Sequence, residues 1–101
     1  MKEYEIKRLI ETTAELNDIV RVYLAIKGAL QAQQHNDELQ RQIQCVIEKY
    51  PAEVFLYNVL HSERLETITQ NAINCICFLE NLLCVKWGME VVLCVKGLVE
   101  A

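Results

Sequence analysis

The chain has 101 residues, 52 % hydrophobic and 24 % charged, with three glycines and one proline. That length suits one domain burying roughly 60–70 % of its unfolded surface, and the composition excludes a disordered chain. The net charge of −4, with ten Lys and Arg scattered singly or in pairs, excludes the basic stripe of a nonspecific nucleic-acid binder.

The first 34 residues read as one long amphipathic helix. Ile6, Leu9, Thr13, Leu16, Val20, Tyr23 and Leu30 recur at three- and four-residue steps, with Ile10, Ile19 and Ile26 widening the stripe. Asn17-Asp18 offers a cap at which this helix could kink. Its IVRVYLAI run has the β-branched content of a strand, but the helical period continues on both sides. The opening MKEYEIKRLIE carries charges where an export signal needs an apolar core, so no signal peptide is expected.

Residues 31–37 (QAQQHND) form a connector, with Asn36 as the N-cap of the next helix. Leu39, Ile43, Val46, Ile47 and Tyr50 make its stripe, and Asp37 and Glu38 lie at its positive end. Tyr50-Pro51 ends it, because the residue before proline disfavours helix and proline suits a first turn. The segment AEVFLYNVL then holds seven apolar residues whose periodicity assigns neither helix nor strand.

Ser62 caps a helix expected over 63–86. Its stripe is Leu65, Ile68, Ala72, Cys75, Leu79 and Leu82, widened by Ile76 and Leu83. No charge falls between Glu66 and Glu80, which predicts a central helix touched on most sides. The stretch LLCVKWGMEVVLCVKG (82–97) admits two readings. As a hairpin it opposes Trp87 to Val91, Val85 to Leu93 and Leu83 to Val95, but its loop puts Glu90 where glycine is wanted. As a helix it gathers Lys86, Glu90, Lys96, Gly97 and Glu100 on one arc, with Leu82 and Leu93 misplaced on the polar side. Gly88 inside it costs about 1 kcal/mol against alanine and would mark a kink. The helix is favoured. The fold expected is all-α, a compact bundle of four or five helices in a single domain over 1–101; the alternative is α+β with a C-terminal hairpin at 82–96.

Candidate chemistry is sparse. His61 and Cys75, Cys77, Cys84 and Cys94 are zinc-ligand types, but the paired two-residue spacing of a structural site does not occur. On a helix, Cys75 and Cys77 point about 200° apart. Cys75, Cys77 and Cys84 are read as mid-helix thiols in apolar surroundings, and His35 and His61 as solvated junction residues. Asp37-Glu38 and Glu63 with Glu66 look like ordinary first-turn acids. No phosphate loop, Gly-x-Ser-x-Gly or His-Glu-x-x-His is present. No metal, no cofactor and no catalytic residue is expected, and the five cysteines are read as reduced thiols of a cytoplasmic protein.

The strongest signal is apolar excess. The last 37 residues carry only six charges, yet Lys86, Glu90 and Lys96 interrupt any membrane span over 82–99. The expectation is therefore a non-catalytic interaction module: a small acidic adaptor, chaperone or antagonist. It would act through a C-terminal stripe of Leu83, Trp87, Val91, Cys94 and Leu98, either in a twofold dimer or against another protein. A domain binding a small apolar ligand between its helices is the alternative, and a thiol-dependent enzyme stands behind both.

Overall fold

A computed structural model describes residues 2–32, 37–59 and 65–100. Every regular element among them is a helix: α1 (Glu3–Thr12), α2 (Ala14–Gln31), α3 (Asp37–Lys49), α4 (Pro51–Phe55), α5 (Leu65–Trp87) and α6 (Met89–Glu100). The expected junction residues His35, Asn36, His61, Ser62 and Glu63 lie outside the described residues.

Among the described residues the helices outnumber the four or five expected because of two breaks, one at a point the sequence disguises and one at Pro51, where it was expected. The first is at Thr13, not near Asn17. Thr13 is extended (φ −111°, ψ 105°), and its N–H still reaches the Leu9 carbonyl at 2.9 Å. The Thr12 hydroxyl donates to the Arg8 carbonyl at 2.9 Å, a side-chain back-bond to the preceding turn at the end of α1. Two consecutive β-branched residues thus suit a stop as well as a turn of helix. Asn17 then sits inside α2, its N–H bonded to Thr13 O at 2.9 Å. The second break makes α4 a single short turn after Pro51. Asn58 (φ 56°) takes the left-handed conformation that asparagine tolerates, and Val59 N–H reaches back to Val54 O at 3.3 Å. This returns Val59 to the core and leaves Phe55 and Leu56 exposed.

Helices α2 and α5 form the central pair. Helix α3 packs on both, α6 lies against α5 and α2, α1 against α2 and α6, and α4 against α3. The radius of gyration, 13.4 Å, matches the ~13 Å of a folded chain of about 100 residues. The core takes Ile6 from α1, Leu16, Ile19, Val20, Tyr23 and Ile26 from α2, and Leu39, Ile43 and Val46 from α3. From α5 come Ile68, Ala72, Cys75, Phe78, Leu79 and Leu83. Residues Thr67–Trp87 are long and apolar enough to cross a membrane by length and composition alone. Of that window 44 % is buried, on the sides that meet α2, α3 and α6.

The hairpin at 82–96 does not form. Gly88 N–H bonds to Cys84 O at 2.9 Å and Val92 N–H to Gly88 O at 3.4 Å, so helix lies on both sides of one break. Gly88 has φ +100°, which side-chain-bearing residues rarely adopt, and a Cβ there would meet nothing within 4 Å. Gly88→Ala should therefore cost about 1–3 kcal/mol through backbone strain alone. Urea denaturation reads this directly, and an unchanged midpoint would contradict the bend.

A candidate interaction surface on the last two helices

The bend at Gly88 decides what α6 shows to solvent. A single 100° phase carried from Leu83 to Leu98 joins Leu83, Trp87, Val91, Cys94 and Leu98 into one stripe. The bend resets that phase. Val91, Val92 and Val95 become the inner face of α6, Leu83 and Val91 are core residues, and Trp87 and Cys94 are half-buried. Of the five expected interface residues only Leu98 is exposed, so they do not form one outward stripe. Leu93, the misfit of the helical reading, is 61 % exposed.

Cys94 and Leu98 do meet at one place, an open groove of about 690 Å³ between α1 and α6. Ile6, Leu93, Cys94, Gly97 and Leu98 supply its apolar surface, and Glu3, Lys7 and Glu90 stand among its walls. Glu3 and Lys7 pair with each other at 3.7 Å, partly neutralising that side. Helix α1 is positioned there by Ile6, which is 3 % exposed and anchors in the core. The Glu5 carboxylate steadies the first turn by accepting from Lys2 N–H at 3.1 Å. The sequence hid this groove because its walls come from opposite ends of the chain.

Two polar clusters tie the helices together. In the first, Lys27 donates to the Tyr23 hydroxyl at 3.2 Å, which donates to Glu80 Oε1 at 3.5 Å, while Lys96 pairs with Glu80 Oε2 at 3.4 Å. It links α2, α5 and α6. Tyr23 is wholly buried, so a substrate has no approach to its hydroxyl. In the second, Lys86 pairs with Glu15, and Lys49 with Asp18 at 3.9 Å, joining α2 to α5 and α3. The Glu15 carboxylate accepting from Lys86 raises the lysine's pKa.

Beside that cluster Tyr50 packs edge-on against Phe78, ring centroids 5.3 Å apart. Its hydroxyl oxygen is buried and has no hydrogen-bond partner among the described residues. Burial raises its pKa, and the nearby Glu15 carboxylate adds to the effect while Lys86 opposes it. Tyr50→Phe should then be neutral or stabilising by up to about 1 kcal/mol, since it removes a desolvated group that the protein leaves unsatisfied. A loss of more than that in thermal unfolding would show that the hydroxyl is bonded.

Tyr50 also lines a pocket of about 40 Å³ with Asp18, Ile19, Val22, Val46 and Leu79. That volume is water-sized, too small for an apolar ligand among the helices. Among the described residues no three His, Cys, Asp or Glu side chains converge to hold a metal. Cys75 is buried and its thiol is pushed up to about 12, as expected for an inert core cysteine. Cys77 departs from the expected apolar surroundings: it is exposed on the outer side of α5. No protein-family model matches the chain, and no curated protein or solved structure matches it either.

Proposed function

We propose that this chain is a non-catalytic, cytoplasmic protein-interaction module that receives an amphipathic helix of another protein in the α1–α6 groove. The observation that carries this reading is the groove itself, with Leu93 61 % and Leu98 44 % exposed over a floor that includes buried Ile6. Large side chains left open beside a concave apolar surface are the usual mark of a binding site. Helix-in-groove recognition needs an apolar trough with polar margins, and Glu3, Lys7 and Glu90 supply the margins. The acidic balance of the chain, net charge −4, disfavours a nucleic acid as occupant.

A small apolar ligand is the second reading, favoured by one fact: about 690 Å³ falls within the roughly 300–1,000 Å³ of ligand sites. Native mass spectrometry of the chain purified from its own host, with Leu93→Glu/Leu98→Glu beside it, tests both. A stoichiometric protein partner on the wild type, absent from the double variant, supports the module. A small-molecule mass lost in the same variant supports the ligand reading. Retention of the partner by the double variant would place its binding elsewhere and overturn the groove assignment.

A further inference from the structure

Helix α1 is held to the molecule more lightly than any other long helix. Of its ten residues only Ile6 is buried, whereas α2 buries five residues and α3 three. Helix α6 buries Val91, Val92 and Val95. Those three helices also carry ion pairs to other helices: Glu15 with Lys86, Lys49 with Asp18, and Lys96 with Glu80. Among the described residues α1 has none. Its own polar contacts, Lys2 N–H to Glu5, Thr12 to Arg8 and Lys7 to Glu3, all close within the helix and its cap. The join to α2 is equally slight. Thr13 N–H bonds to Leu9 O, and Thr13 O accepts from Asn17 N–H, each at 2.9 Å. Both helices end on Thr13, and among the described residues no backbone hydrogen bond runs directly from one to the other.

A turn about the two dihedrals of Thr13 therefore breaks no helical bond, and its extended conformation lies in the broad β region. Glu3, Ile6 and Lys7, in the half of α1 far from Thr13, line the groove. They stand roughly 10–15 Å along the helix from that pivot, so a turn of about 30° shifts the wall by roughly 5–8 Å. We propose that α1 is a hinged wall of the groove: it releases from α2 and α6 as one unit, turning at Thr13, and closes over what the groove binds. The closing step rests on the groove being the binding site; the release does not. Release uncovers Ile6 and the half-buried Leu9 and Ile10, and leaves the packing of α2, α3 and α5 in place. Burial of that size keeps α1 docked in most molecules, yet frees it far more often than the whole chain unfolds. A helix of ten residues is marginal in water, so each release opens its amides to exchange.

Hydrogen exchange of the free chain in low urea, resolved by residue with NMR, tests the hinge. The amides of residues 6–13 should exchange together, at least about tenfold faster than the slowest amides of α2 and α5 and with a weaker dependence on urea. Protection that rises gradually from residue 6 to residue 13 would mean fraying from the chain end. Amides that share the rate and urea slope of α5 would mean that α1 opens only when the chain unfolds. Either result overturns the hinge. In the complex purified from the native host, exchange over residues 6–13 should slow at least about tenfold as one block, together with residues 90–98. Slowing over 90–98 alone would leave the groove as the binding site and overturn the closing wall. Slowing over neither would overturn the groove reading, and the closing wall with it.

Discussion

Leu83→Ala is expected to cost about 2–5 kcal/mol of folding stability, the range for a buried leucine whose cavity cannot fully collapse. Leu83 is 1 % exposed on α5 and belongs to the core cluster that α6 completes with Val91, Val92 and Val95. A domain of this size has about 5–15 kcal/mol in all, so the variant should be visibly less stable. Leu93→Ala, removing the same atoms from a side chain 61 % exposed on α6, should change stability by about 0.5 kcal/mol or less. Urea midpoints at unchanged slope read both. Equal losses would mean that Leu93 is buried in the isolated chain, and a neutral Leu83→Ala would contradict the burial of Leu83.

The second large effect lies at high pH. Burial pushes the Cys75 thiol from 9.0 up to about 12. Between those values the unfolded chain sheds this proton and the folded chain keeps it, so stability falls as pH rises. One proton of difference corresponds to about 1.4 kcal/mol per pH unit, fully present above the unfolded value and ending near the folded one. Tyr50, raised by burial, acts in the same direction from the ordinary tyrosine value of 10.0. The raised pKa of Lys86 also gives stability that is lost as pH climbs through it. Cys75 begins first. Stability measured by urea at pH 8, 9, 10 and 10.5 should therefore bend downward from about pH 9. Cys75→Ala should lower the whole curve by a small cavity term and flatten that first limb. An identical slope in Cys75→Ala would show that the thiol ionises in the folded chain.

Periodicity made most of the helices legible. The stripe Leu39, Ile43 and Val46 is buried as its spacing implies, and so are Ile68, Ala72, Cys75, Leu79 and Leu83 on α5. What periodicity cannot carry is phase across a break. Thr13 and Gly88 each interrupt a pattern that continues in type but not in direction, and at Gly88 this turned an inner face into an apparent outer one. The charge-free interval after Glu66 has a related lesson. It predicted a helix covered on most sides, yet Gln70, Ile73, Cys77 and Asn81 face outward. The amides Gln70, Asn74 and Asn81 share that outer side, but Asn71 beside them is buried, so residue type alone did not mark the face. The groove was out of reach, because nothing local relates Ile6 to Leu93 and Leu98.

The most direct test of the interaction reading is hydrogen exchange on the complex purified from the native host, compared with the free chain. Partner binding in the groove should add protection to peptides covering residues 3–9 and 90–98, with α3 unchanged. Protection centred on α3 or α4, with residues 90–98 exchanging as in the free chain, would contradict the account.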